Sequence, residues 1–346
     1  MPPPVCVTGA SGFIAAHLVR LLLERGYVVR GTIRSLRDPA KTHRLRSLPG
    51  AHERLELFEA DLRVEGSFDR AIGGAAAVMH TASPYVIDVS DPQRDLVEPA
   101  VQGTLNVLRS AARAGVRRLV LTSSIAAIAD APVRGKVFTD ADWNTRSTLR
   151  RNPYYYSKTL AERAAWRFVE EHRPSFDLVV INPFMVLGPS LGPELNTTNA
   201  VFRDLLTGVY PGILDIGWGM VDVRDVAEAH VRALEHEGAR GRYLCAGEAM
   251  TLREIVAALR AAGYGERYTL PRLDLTSPLA TRLVKLLSYA RSRGVGSYIR
   301  SHTGGTIQYD TRRIREELGM RFRPARESLL TTVQDLERWG HLRPAA

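Results

Sequence analysis

Val5-Cys6-Val7-Thr8-Gly9-Ala10-Ser11-Gly12-Phe13-Ile14-Ala15 decides the fold. Its first four residues have the composition of a buried strand. Residues 12–25 read as a helix, with Ile14, Leu18, Leu21 and Leu22 on one face. Gly26 then stands where a C′ glycine would close it. Between strand and helix the spacing is G-x-x-G-x-x-A. Gly9 lets the backbone turn sharply, Gly12 lets a phosphate approach the main chain, and Ala15 lets helix and sheet pack closely. The free N–H groups and positive dipole end of such a helix suit an anion. Gly9, Ala10, Ser11, Gly12, Phe13 and Ile14 are therefore the candidate cradle for a dinucleotide pyrophosphate.

Working outward, short apolar runs at 28–33, 54–58, 76–80, 118–122 and 177–181 predict five more strands. Helical patterns separate them, notably 93–114 and 153–172. Strand–helix alternation predicts an α/β fold, a doubly wound parallel sheet covered by helices on both faces. After residue 183 the pattern changes. Residues 188–220 are rich in Gly and Pro, 221–234 read as a strand end running into a helix, and 251–263 and 311–318 read as helices. The expected division is a dinucleotide-binding core at 1–182, to which 212–245 returns, and a smaller substrate-covering region at 183–211 and 246–346.

Composition excludes several classes. The 346 residues are 45% hydrophobic and 24% charged, a globular composition. No run approaches the ~20 apolar residues that span a bilayer, and the opening MPPPVCVTG has no signal-peptide pattern. Two cysteines, Cys6 and Cys245, make neither a disulfide framework nor a metal knuckle, so a reducing cytoplasm is expected. Nine scattered histidines contain no His-x-x-x-His pair, so no metal is expected. The net charge of +10 is spread without basic runs, and only Lys41, Lys136, Lys158 and Lys285 are lysines. No nucleic-acid or membrane partner is expected; the sign also suits an anionic cofactor.

The end of the second strand chooses the cofactor. NAD sites place a carboxylate there for the ribose 2′-hydroxyl. Here 31–41 is GTIRSLRDPAK, with Arg34, Arg37 and Lys41 crowding the position. Cations suit a 2′-phosphate, so NADP(H) is expected. Asp61-Leu62 follows the third strand; Asp61 is read either as an acceptor for the adenine amino group or as a helix N-cap.

Residues 152–158 are Asn-Pro-Tyr-Tyr-Tyr-Ser-Lys. Asn152 is a suitable N-cap and Pro153 a suitable first helical residue. Tyr154 and Lys158 then share a helix face. A phenol of pKa ~10 is a poor acid–base group at neutral pH, and an adjacent ammonium pulls that value down. The fifth strand ends Thr122-Ser123-Ser124 at the ligand-binding edge of such a sheet. Ser124 is the candidate donor to a carbonyl oxygen, with Ser123 or Thr122 touching the cofactor. Tyr85, Val86, Ile125, Phe184 and Met185 are placed to line an apolar pocket, or are plain core.

The glycine loop, TSS and the Tyr-x-x-x-Lys pair together resemble the extended short-chain dehydrogenases/reductases. VTGASGFIA, GTIRS, HTASP, LVLTSS and YYYSKTLAERAAW are most similar to the subgroup of dihydroflavonol reductases, cinnamoyl-CoA reductases and microbial carbonyl reductases. The resemblance implies a Rossmann fold, NADPH, and a catalytic triad of Ser124, Tyr154 and Lys158. It also implies 2′-phosphate contacts at Arg34 and Lys41, ribose contacts at Thr81, Ala82 and Ser83, and Pro183 and Val186 near the nicotinamide. Asp222 and Asp225 match a structural stretch. Ala129 stands where flavonoid-specific reductases carry Asn, and RNPYYYSK lacks the Trp and Cys of cinnamoyl-CoA reductases. The expected function is reversible hydride transfer from NADPH to an aldehyde or ketone, by a monomer or homodimer. The alternatives are an epimerase, dehydratase or hydroxysteroid dehydrogenase on the same scaffold, or a non-catalytic NADP-binding sensor.

Overall fold

The computed structural model describes residues 3–83 and 89–343. Tyr85 and Val86 lie outside the described residues. The first half alternates strands with helices: β1 (Val5–Thr8), α1 (Phe13–Glu24), β2 (Val29–Ile33), α2 (Pro39–Arg46), β3 (Leu55–Glu59), a single helical turn at Asp69–Ile72, β4 (Ala77–His80) and α3 (Glu98–Ala114). Then come β5 (Arg118–Thr122), α4 (Pro153–His172) and β6 (Asp177–Pro183). A π-helical turn, Gln93–Val97, leads into α3.

The second half holds β7 (Met185–Leu187), α5 (Thr197–Leu206), β8 (Ile216–Asp222), α6 (Val223–Glu235), β9 (Gly241–Cys245) and β10 (Ala249–Thr251). Helices follow: α7 (Leu252–Ala261), α8 (Pro278–Leu287), α9 (Arg293–His302), α10 (Arg312–Glu317) and α11 (Ala325–Arg338).

Seven strands form one parallel sheet in the order β9-β6-β5-β4-β1-β2-β3. The burial of β1 explains its unbroken apolar sequence, since both faces of a parallel sheet are covered. Successive side chains point to opposite faces. Val5 and Val7 pack with Leu18 and Leu22 of α1 and Val226 of α6. Cys6 packs on the other face with Val107 and Leu108 of α3 and Phe168 of α4. Gly26 takes φ +81 just beyond α1, as a C′ glycine does.

The smaller region is built on β8, which pairs with β7 and β10. Around it α5, α7 and α11 close a separate core that includes Phe202, Ile255 and Leu329. The return to the main sheet starts at α6, not at residue 212: β8 lies in the second sheet, and only α6 and β9 rejoin the first. Alternating apolar residues alone do not say which of two sheets a strand joins.

Candidate active site

The strand order reverses between β1 and β4, and ligand crevices in such sheets lie outside that switch point. The loops after both strands are tied together there. Thr8 Oγ1 accepts from the N–H groups of Thr81 and Ala82, each at 3.1 Å. Its own proton is left for His80 Nδ1 at 2.9 Å. Burial, helped by the Lys158 charge, lowers the His80 pKa to about 3, so this ring is neutral and structural. Thr81 Oγ1 in turn donates to the Thr8 carbonyl.

Gly9 takes φ +65, and a Cβ there would sit 3.0 Å from the Cβ of Ala82. No side chain caps α1, and its first turn carries no acidic residue. The helix thus presents its N-terminal N–H groups over Gly9–Gly12, as an anion cradle requires. Behind the loop, a Cβ on Gly31 of β2 would stand 2.9 Å from the Cβ of Ala10. Arg44 of α2 was not among the sequence candidates. Its Nη2 donates to the Ser11 carbonyl at 2.6 Å, and its Nη1 pairs with Glu194. Its one visible signal was its place among the scattered cations after β2.

Beyond β2, Arg34 and Arg37 are exposed. Among the described residues Arg34 makes no hydrogen bond or ion pair. Lys41 sits in the first turn of α2, 2.8 Å from Asp38, whose carboxylate also caps that helix. Asp61 does not cap a helix. Its carboxylate accepts from Arg63 N, Nε and Nη2 at 2.9, 3.1 and 2.7 Å. Those bonds, with the Arg34 charge, hold its carboxyl down at about 2. Leu62 packs on Gly103 of α3. An open cradle, an uncapped helix and unpaired cations fit a dinucleotide carrying a 2′-phosphate.

Ser83 and Ser124 follow β4 and β5, and Lys158 of α4 reaches the first of them. Lys158 is buried in α4, its Nζ 5.7 Å from the Tyr154 ring centre and 2.6 Å from Ser83 Oγ. Burial brings the Lys158 ammonium down to about 8. Ser124 opens the 3-10 turn Ile125–Ala127 and accepts from the Ala126 N–H at 3.2 Å. Thr159 of α4 donates to the Ala126 carbonyl at 3.3 Å, which fastens that turn to the helix carrying Tyr154.

The two neighbouring hydroxyls have buried partners. Thr122 Oγ1 lies 2.6 Å from His230 Nε2 beneath the sheet. Ser123 Oγ donates to Glu162 Oε2 at 2.5 Å. Their side chains belong to the scaffold because buried His230 and Glu162 each need a partner there. Glu162 was missed from sequence. It also accepts from Asn182 Nδ2 at 2.7 Å and forms a buried ion pair with Arg242. Asn182 Nδ2 reaches the Ser124 carbonyl as well, at 3.1 Å. The only signal was a Glu one turn after Lys158.

Asn152 precedes α4 but does not cap it. It takes a left-handed φ of 47°, which Asn tolerates. Its amide serves Asp130 Oδ1 at 2.8 Å and Ser301 Oγ of α9 at 3.0 Å. Of the pocket candidates, Ile125 is 3% exposed and packs with Ile128 and Leu244, so it is core. Phe184 is half-buried with its ring edge-on to Tyr309 at 5.7 Å. Met185 packs onto the second core instead. Pro183 ends β6, paired with Cys245, and Val186 is half-buried on β7. Asp222 caps α6 and pairs with Arg224, and Asp225 holds Arg323.

A doubly wound sheet with a glycine cradle at its switch point and a Tyr–Lys pair beside it defines a nicotinamide-dependent oxidoreductase. The chain belongs to the NAD dependent epimerase/dehydratase family, which matches residues 5–246. It is 49% identical over 267 residues to cinnamoyl-CoA reductase CAD2 of Medicago truncatula, covering 74% of this chain and 79% of that one. It is 39% identical to tetraketide alpha-pyrone reductase 1 of Arabidopsis thaliana, over 98% of this chain and 96% of that one. Its fold matches yeast methylglyoxal/isovaleraldehyde reductase Gre2, solved with NADPH, at TM-score 0.78 and 28% identity. That match covers 98% of this chain and all of the other.

Proposed function

We propose that the protein is an NADPH-dependent carbonyl reductase, converting an aldehyde or ketone to the alcohol. The observation that carries this reading is the buried Lys158 ammonium 5.7 Å from the Tyr154 ring. A buried cation there favours the ionised phenol, bringing its acid–base range toward neutrality. When bound, the cofactor supplies the hydride. Tyr154 donates its phenolic proton to the carbonyl oxygen as negative charge develops there. Ser124 Oγ donates to the same oxygen and orients it. The Lys158 ammonium, which also donates to Ser83 Oγ, stabilises the phenolate that Tyr154 is left as. Arg34, with Arg37 and Lys41, would clamp the 2′-phosphate, and Gly9–Gly12 would hold the pyrophosphate. The reductase names of the relatives and the NADPH in the yeast neighbour support the direction and the cofactor. Two buried free thiols, Cys6 and Cys245, agree with a reducing compartment.

The test is NADPH consumption against aryl ketones, α-keto esters and aliphatic aldehydes, with NADH and Tyr154→Phe alongside. Turnover with NADPH that Tyr154→Phe lowers by about 10²-fold or more is expected. NADPH binding without turnover on any carbonyl overturns the reading.

A further inference from the structure

Helix α8 and the turn after it, residues 278–291, make none of the site contacts described above, yet their surface is unusual. Helix α8 buries only Thr281. Leu279, Leu283, Leu286 and Leu287 follow the i, i+4, i+7, i+8 spacing of one helix face. They are 78%, 54%, 66% and 61% exposed, and Tyr289 in the turn that follows is 72% exposed. Arg282 and Arg291 are exposed beside them, and Lys285 and Arg300 are half-buried. From residue 275 to 309 there are five basic residues and no acidic one.

We propose that this face, residues 278–291, docks on an anionic lipid surface. Large apolar side chains flanked by cations, with no carboxylate on the segment itself, are the pattern of a helix lying in the interface plane. Charge decides the occupant. A second copy docked by the same patch would set Arg282, Lys285 and Arg291 against the same three cations, with no acidic residue between 275 and 309 to neutralise them. Anionic headgroups neutralise the cations while the leucines enter the acyl boundary. The sequence alone leads to the opposite expectation, because the charge is not clustered along the chain. The fold supplies what was missing by turning four leucines outward together. The inference stands apart from the reductase reading, since no active-site residue enters it.

The test is co-sedimentation of the full chain with vesicles of phosphatidylcholine plus phosphatidylglycerol, and of phosphatidylcholine alone. Binding to the anionic vesicles that salt weakens is expected. The Arg282→Gln/Arg291→Gln pair should weaken it about 25-fold, at roughly fivefold per cation. Leu283→Asp/Leu286→Asp should abolish it. Both variants should keep the wild-type Tm and NADPH affinity, which shows that they fold. No binding to anionic vesicles, equal binding to phosphatidylcholine alone, or binding that survives the leucine variant overturns the proposal. A solution mass that halves in the leucine variant, without vesicle binding, assigns the face to a second copy instead.

Discussion

At the residue scale, burial of Lys158 sets the pH at which the site loses its cation. The ammonium is lowered to about 8, so it is charged below that pH and neutral above it. Tyr154 must also carry its proton to reduce a carbonyl, and loses it with rising pH. Both effects have one sign. For reduction, kcat/KM should be level below about pH 8 and fall above it, and a pH profile with saturating NADPH checks this. Lys158→Met should lower kcat by about 10²- to 10⁴-fold and remove that limb. Glu162 makes a different kind of contribution. It pairs with Arg242 away from solvent and, with Asn182 and Ser123, underpins the Ser124 backbone. Glu162→Gln leaves the Arg242 guanidinium buried without its counter-charge, a loss of about 3–5 kcal/mol. Urea unfolding should show that drop, and KM for NADPH should move little, because the glycine loop lies on other strands.

At the scale of the element, the glycine loop depends on what stands behind it. Gly31 is a strand residue whose added Cβ would meet the Cβ of Ala10 at 2.9 Å and Leu57 Cδ2 at 3.0 Å. The leucine can swing aside, whereas Ala10 can move only with the loop. Gly31→Val should therefore cost about 1–3 kcal/mol in cofactor binding, about fivefold or more in Kd for NADPH. Titration of NADPH fluorescence reads this directly. The loop itself was legible in sequence, because strand, turn and helix are contiguous and each glycine has a local reason. So was Tyr154 with Lys158, four residues apart on one helix. Glu162, Asn182 and Arg242 were not, since their meeting needs three strands and a helix brought together from positions 123–242. Thr122 and Ser123 show the same limit. Their place at the end of β5 was evident, but the buried partners that claim their hydroxyls lie 108 and 39 residues away. Asp61 and Asn152 looked like helix caps by residue type; Arg63 and Asp130 claim their side chains instead.

At the scale of the whole molecule, the buried histidines fix how the fold responds to acid. His17, His230 and His302 are lowered to about 4 and His80 to about 3, in each case chiefly by burial. An unfolded chain binds those protons near 6.5. Between about pH 6.5 and 4 the unfolded state therefore takes up protons that the folded state refuses. Stability is full above that window and falls as pH drops through it, by about 1.4 kcal/mol per pH unit for each histidine fully protonated only when unfolded. Thermal unfolding from pH 8 to 4.5 should show a level Tm, then a steep decline starting near 6.5. Paired carboxylates also weaken the fold in acid, but Asp61, at about 2, does so as pH falls from its ordinary value of 3.8 toward 2, below most of the histidine window. His302 separates the two causes. Its ring stacks on Tyr298 at 3.9 Å, and its Nε2 is buried without a hydrogen-bond partner. His302→Phe keeps the stacked ring and removes the titrating group, at the expense of the Nδ1 contact to the Tyr298 carbonyl. The variant should start from a lower Tm at pH 8 and lose less of it on the way to 4.5. An unchanged slope would show that His302 does not contribute to the acid sensitivity.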